Sequence, residues 1–278
     1  KQRKGEVTMA GKKKKRSGLS GSALLADDRR HILSADSNFF IREAYKTLRT
    51  NTMFALAGQE GCKIILVTSS LQGEGKSISA LNLAISFAEA ENRVLLIDCD
   101  LRRPKLARLL RKSSRVGLSN VLLDPSQLGE VILPGGVDRL DVILSGDIPP
   151  NPSELLSSPA MKKLLDIVCK VYDYVIIDTP PITVVSDALT FAGNTAGLLM
   201  VVRPDVCRQA DLRRSFDSIE LAGIHVLGVV MSDVRQSGGG YYSGYRKYGR
   251  YGRYGKYGYS RYGYGPQPGD TKPEDDIK

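Results

Sequence analysis

Thr68-Ser69-Ser70-Leu71-Gln72-Gly73-Glu74-Gly75-Lys76-Ser77 follows the apolar, β-branched run Ile64-Ile65-Leu66-Val67 and leads into a helical pattern from Ile78 to Ala90. Strand, glycine-rich turn, Gly-Lys-Ser and helix form the context that a phosphate-binding loop requires. Glycines let backbone N–H groups converge on phosphate oxygens, and the helix N-terminus adds partial positive charge. Gly73, Glu74, Gly75, Lys76, Ser77 and Ile78 are the expected nucleotide cradle. Lys76 is placed to reach the β- and γ-phosphates, and the Ser77 hydroxyl to ligate Mg²⁺.

Outward from this loop the chain alternates. Strand 62–67 and helix 76–90 are followed by Arg93–Ile97, a strand ending in Asp98-Cys99-Asp100. Pro104 opens a helix through Leu110, and a short helical piece spans Leu118–Leu123. Leu140–Leu144 is a strand leading to Ser145-Gly146. Ser158 and Pro159 cap and start a helix to about Cys169. Tyr174–Ile177 is a strand ending in Asp178-Thr179-Pro180-Pro181, and Leu198–Val202, helix 208–222 and Val226–Met231 complete the set. Continuous apolar strands between helices predict an α/β fold, a mostly parallel sheet with helices on both faces. Ligands of such sheets sit beyond the carboxyl ends of the strands, where Asp98, Asp100 and Asp178 fall beside the loop.

A phosphate loop with three strand-end carboxylates describes magnesium-assisted phosphoryl transfer from ATP. Asp178 reads as the acid holding Mg²⁺, mostly through water. Of Asp98 and Asp100, one can complete the metal shell while the other accepts a proton from the attacking hydroxyl. A carboxylate of pKa about 4 is a weak base for a phenol of pKa about 10, so the proton should move late in a loose transition state.

Composition limits the partners. The chain has 278 residues and a net charge of +10, but residues 1–20 and 235–264 each carry +7, whereas 21–234 carry −2. The basicity belongs to the ends, and a nucleic-acid partner is not expected. Cys62, Cys99, Cys169 and Cys207 are widely spaced, which suggests neither zinc nor a disulfide framework and fits a reducing, cytoplasmic setting. No apolar run approaches the roughly 18 residues that span a bilayer.

Three segments are expected: a basic disordered N-terminal segment over 1–36, a catalytic domain over 37–235, and a disordered tail over 236–278. At the start of the domain the pattern predicts a helix from Ser37 to Leu56, with Ser37 as N-cap and Phe40, Ala44 and Leu48 on one side. Glu43, Lys46 and Arg49 share another face of it. Ten tyrosines crowd the tail: Tyr241, Tyr242, Tyr245, Tyr248, Tyr251, Tyr254, Tyr257, Tyr259, Tyr262 and Tyr264. They are interleaved with Gly, Lys and Arg, a composition that buries no core. These tethered phenols are candidate phosphate acceptors. Each phosphate adds about −1.5 to −2, so four or five would cancel the segment's +7 charge.

Together these features resemble the bacterial tyrosine kinases that control capsular and exopolysaccharide synthesis. The resemblance covers about Ser37 to Tyr264. It rests on the loop at 69–77, which has Ser70 in place of the first glycine, and on Leu95-Leu96-Ile97-Asp98-Cys99-Asp100-Leu101-Arg102-Arg103-Pro104. It also rests on Ser145-Gly146 through Pro149-Pro150-Asn151-Pro152-Ser153-Glu154-Leu155-Leu156, on the strand ending at Asp178, and on the tyrosine cluster. It implies ATP and Mg²⁺ as cofactors, Asp98 as the base, and Asp100 and Asp178 on the metal side with Ser77. It gives Glu43, Lys46 and Arg49 a part in a homo-oligomeric ring, with Lys46 departing from the arginine usual there. It further implies tail phosphorylation between subunits, a transmembrane co-polymerase-type modulator, a cognate phosphotyrosine phosphatase, other protein substrates and recruitment to the inner face of the plasma membrane.

Two other functions remain open at this level. A MinD/ParA-like ATPase switch shares the fold, but Leu71 stands where those proteins carry a second lysine. A Tyr/Gly/Arg tail can also bind RNA through stacking and cation–π contacts, which the near-neutral domain does not favour.

Overall fold

The structure, a computed structural model, describes residues 29–113 and 115–234. The tyrosine cluster and residues 1–28 of the basic N-terminal segment lie outside these residues. Among the described residues seven strands form one sheet in the order β3-β4-β2-β5-β1-β6-β7. They are β1 (Lys63–Ser69), β2 (Val94–Asp98), β3 (Ile132–Pro134), β4 (Leu140–Ile143), β5 (Tyr174–Asp178), β6 (Gly197–Val202) and β7 (Val226–Met231). All pairings are parallel except that of β3 with β4. The short antiparallel β3 was not foreseen: three residues ending in proline at a sheet edge carry no periodic signal.

The central strands β1, β2, β5 and β6 are apolar on both sides because each side meets helices. Leu66, Leu95, Ile97, Val175, Ile177, Leu198 and Met200 face one buried cluster. The alternating residues Ile65, Val67, Val94, Leu96, Ile176, Leu199 and Val201 face another. Helices α1 (Phe39–Ala55), α2 (Lys76–Ala88) and α3 (Leu106–Leu110) cover the second face. Helices α4 (Leu118–Leu123), α5 (Leu128–Val131), α6 (Pro152–Leu156), α7 (Pro159–Val168) and α8 (Gln209–Leu221) lie in the connections that cover the first. At about 25 cal/mol per Å² of apolar surface removed from water, these two layers supply the main folding drive.

Helix α1 differs from expectation at its start and in its orientation. Asn38, not Ser37, is the N-cap, its side chain accepting the Phe40 N–H. Ser37 closes a turn with Ser34 just before it. Phe40 and Ala44 are exposed, whereas Tyr45, Leu48 and the buried Thr52 turn toward α2. The i, i+3, i+7 face that packs is therefore rotated from the one through Phe40. Helix α3 begins at Leu106 rather than at Pro104, because its first free N–H is held by the Asp98 carboxylate (Leu106 N to Oδ2, 3.1 Å). Helix α7 starts as foreseen, with Ser158 as cap and Pro159 as its first residue.

At the end of β4, Gly117 and Gly146 touch. A Cβ on Gly117 would lie 2.4 Å from both Gly146 N and Leu144 O. Leu118 N–H donates to Leu144 O (2.7 Å), which docks α4 on the strand end. Only glycine permits that approach.

Candidate active site

The loop after β1 turns through Gly73 (φ 87°) and Gly75 (φ 90°), a left-handed backbone that glycine adopts without strain. Gly75 is the N-cap of α2 and brings no side chain to it. The first intrahelical bond runs from Ser79 N–H to Gly75 O (2.9 Å), so the preceding N–H groups at the helix start have no intrahelical partner. This is the feature that receives phosphate oxygens.

Several contacts fix the loop from outside. Ser70, in place of the usual glycine, is fully buried, and its Oγ accepts from Ser215 Oγ on α8 (2.9 Å). The segment after β5 runs along its base, with Thr179 N–H on Val67 O (3.0 Å) and Ile182 N–H on Ser69 O (2.9 Å). Glu74 does not present its carboxylate to a ligand. That group is buried and accepts the Leu71 N–H (2.6 Å) and the Arg203 N–H at the end of β6 (3.2 Å). Ser232 Oγ donates to the Glu74 carbonyl. Of Glu74, then, only the backbone belongs to the cradle. No local pattern announces the brace, since its partners are main-chain groups or come from distant loops.

Two of the three acids meet on Lys76, and the third, Asp98, lies beside Asp178. Its Nζ lies 2.8 Å from Asp100 Oδ2, 3.3 Å from Asp178 Oδ1 and 3.4 Å from Ser77 Oγ, and all these side chains are buried. Asp98 and Asp178 are direct partners across β2 and β5. Asp98 accepts two backbone N–H groups, from Asp100 (3.2 Å) and Leu106 (3.1 Å). Burial and the neighbouring Asp178 push the Asp98 carboxyl up to about 7. Burial also raises Asp178, with Lys76 opposing it. Burial alone would lower the Lys76 ammonium, but Asp178 and Asp100 outweigh it and hold it above its usual value. Two adjacent buried carboxylates cannot both ionise cheaply beside one ammonium.

Among the described residues, Asp178 Oδ2 is buried and has no hydrogen-bond partner. A free oxygen of that kind beside Ser77 and Asp100 suits Mg²⁺, which takes hard oxygen ligands. The other expected residues fall as follows. Ile78 is on the first turn of α2. Glu43 and Lys46 pair with each other on α1 (2.8 Å), but Arg49 turns inward, its Nη1 donating to Ser86 O on α2. The tyrosines from Tyr241 to Tyr264 lie outside the described residues.

One buried acid escaped notice in the sequence. Asp187, in a 3₁₀ turn (Asp187–Phe191) after β5, is fully buried and receives Arg102 and Ser153. A lone acid in the apolar run 182–191 was the available signal.

Residues 61–237 match the ParA family, described as NUBPL iron-transfer P-loop NTPase. The tyrosine-protein kinase YwqD of Bacillus subtilis (strain 168) is 38% identical over 195 residues, covering 70% of this chain and 82% of that protein. The tyrosine-protein kinase CpsD of Streptococcus agalactiae is 35% identical over 208 residues, covering 74% and 90%. The kinase domain of Escherichia coli tyrosine kinase ETK superposes with a TM-score of 0.66 at 34% identity, covering 72% of this chain and 80% of that one. A P-loop with its nucleotide-side lysine ringed by strand-end aspartates, on this sheet and at these identities, places the chain among the bacterial tyrosine-protein kinases of the ParA-like P-loop fold.

Proposed function

We propose that the chain transfers the γ-phosphoryl group of ATP to tyrosines of the 241–264 cluster on neighbouring copies, and so regulates capsule or exopolysaccharide synthesis and export. The observation that carries this reading is the meeting of Asp100 and Asp178 on Lys76 at the mouth of the phosphate loop, with Asp98 opposite Asp178 on the adjoining strand. Lys76 holds the β- and γ-phosphates against the backbone N–H groups of the loop. Ser77, Asp100 and Asp178 supply the oxygens for Mg²⁺, which when bound neutralises the charge of the phosphates. Asp98 receives the phenol proton. Its raised affinity for a proton, with a pKa near 7, makes it a better base than a solvated aspartate. Burial of the whole set excludes water from the transferred group.

Kinship with the capsule-type kinases supports the remaining roles. Glu43, Lys46 and Arg49 on α1 contribute to a ring of subunits, a transmembrane modulator brings the kinase to the inner face of the membrane, and a phosphatase resets the tail. Among the described residues no helix is long and apolar enough to cross a membrane. A ParA-like ATPase switch is the competing reading, supported by the family match over 61–237 and opposed by Leu71.

Intact mass after incubation with Mg-ATP tests the proposal, alongside Lys76→Met and a chain ending at Gly238. The parent should gain a ladder of phosphates, with none on either variant. ATP loss without a ladder would establish the switch instead.

A further inference from the structure

Asp187 is the puzzle left by the site. It is fully buried yet is not among the acids around Lys76. Its partners come from two other loops. Arg102 donates to it twice, Nε to Oδ2 (2.9 Å) and Nη2 to Oδ1 (3.2 Å), in a two-pronged pair. Ser153 at the start of α6 donates its hydroxyl to Oδ1, and Arg102 Nη2 also reaches Ser153 Oγ (3.1 Å). One carboxylate therefore ties together the connections that leave β2, β4 and β5.

The tie has a direction. Arg102 lies between Asp100 and Arg103, and the Arg103 N–H donates to Asp100 Oδ1 (3.0 Å) while Asp100 Oδ2 faces Lys76 (2.8 Å). Holding the Arg102 side chain fixes the backbone that orients the Asp100 carboxylate. On the far side of the same turn, Arg103 Nη1 reaches Gln72 Oε1 of the phosphate loop (3.0 Å). Buried ion pairs give little net stability against apolar replacements, whereas a bidentate arginine–carboxylate pair imposes geometry. An active-site carboxylate displaced by 1 Å can cost about a hundredfold in rate.

We propose that Asp187, acting through Arg102 and with Ser153, is a positioning residue that sets the orientation of Asp100 for phosphoryl transfer. The proposal rests on the kinase reading above. It assigns to Arg102 and Asp187 an effect on turnover and on the Mg²⁺ requirement, not on nucleotide capture, because the phosphate loop is braced separately by Glu74 and Ser70.

Initial rates of phosphate incorporation are measured in the full chain at varied ATP and varied Mg²⁺, for the parent, Arg102→Lys, Asp187→Asn and Ser153→Ala. Lysine keeps the charge but cannot donate along two prongs. Arg102→Lys is expected to lower kcat about tenfold, leave KM for ATP within about twofold, and raise the Mg²⁺ concentration for half-maximal rate severalfold. Asp187→Asn should do the same, and Ser153→Ala should fall between. If Asp187→Asn does not fold, Arg102→Lys, half-exposed at the rim, decides alone. An Arg102→Lys kcat within twofold of the parent overturns the proposal, as does a fall in rate matched by a fall in folded fraction at unchanged Mg²⁺ dependence. A parent that transfers no phosphate overturns the kinase reading itself, which separates the two failures.

Discussion

Lys76 Nζ sits 2.8 Å from Asp100 Oδ2, and both groups are buried at the mouth of a loop built to receive phosphate. The ammonium is thereby held in place by Asp100 and Asp178. Its orientation is set before ATP arrives, so little of the binding energy goes into ordering a flexible side chain. Asp98 and Asp178 complete a group of three carboxylates around one cation, an arrangement that favours incoming positive charge.

The surplus of negative charge should make the nucleotide-free fold more stable when one acid is removed. Asp178→Asn should raise Tm by a few degrees, about 1–2 kcal/mol for a fold of this size, while lowering kinase activity at least about a hundredfold. Differential scanning calorimetry with an activity assay checks both halves. A lowered Tm would show that pairing with Lys76 outweighs repulsion from Asp98.

Asp98 carries the pH dependence. Its carboxyl is raised to about 7 in the fold against about 3.9 in an unfolded chain. The stabilisation tied to its protonated form is full below about pH 4 and is lost as pH rises toward 7. As the proposed base it acts in its ionised form, so kcat/KM should rise through about pH 7, losing about tenfold per unit on the acid side. A profile flat from pH 5.5 to 8 would remove Asp98 as the base.

Ser215 should matter although it touches no substrate. Its hydroxyl is the donor to Ser70 Oγ, and Ser215→Ala leaves that buried hydroxyl without its partner, at a cost of about 1–3 kcal/mol. KM for ATP should rise severalfold with the tyrosine-transfer kcat little changed. Steady-state kinetics distinguishes this from a general loss of folded enzyme.

Assembly is best probed through Glu43. Arg49 holds α1 to α2 through Ser86 O, so its removal would loosen the helix as well as any contact between subunits. Glu43→Ala disturbs only a half-exposed pair with Lys46, worth less than about 1 kcal/mol. Light scattering should report a smaller particle for Glu43→Ala at unchanged Tm. An unchanged size would remove Glu43 from the interface.

The strands and the phosphate loop were legible because their signals are local. Ile64–Val67 and Tyr174–Ile177 are unbroken apolar runs, and Gly73, Gly75, Lys76 and Ser77 carry a fixed spacing. Asp98 and Asp178 were legible for the same reason, each standing at the end of such a run, with Asp100 two positions beyond the first. What escaped was long-range or one-sided. The Glu74 brace closes on Leu71 and Arg203 main-chain groups, and Asp187 meets an arginine 85 positions away. The rotation of α1 escaped because Phe40 and Ala44 are as apolar as the residues that pack, so periodicity alone did not choose the face.

Asp98 and Asp178 stand opposite each other on adjoining strands, at the same rung of the ladder. Their proximity is thus not a property of either loop but of how two chain segments are counted against one another. A single residue added or deleted within β2 or β5 would send one carboxylate to the opposite side of the sheet, whereas the same change a few positions later would merely lengthen a surface turn. Divergence among descendants of this enzyme is therefore channelled: length variation is admissible in the connections and forbidden in those two five-residue stretches.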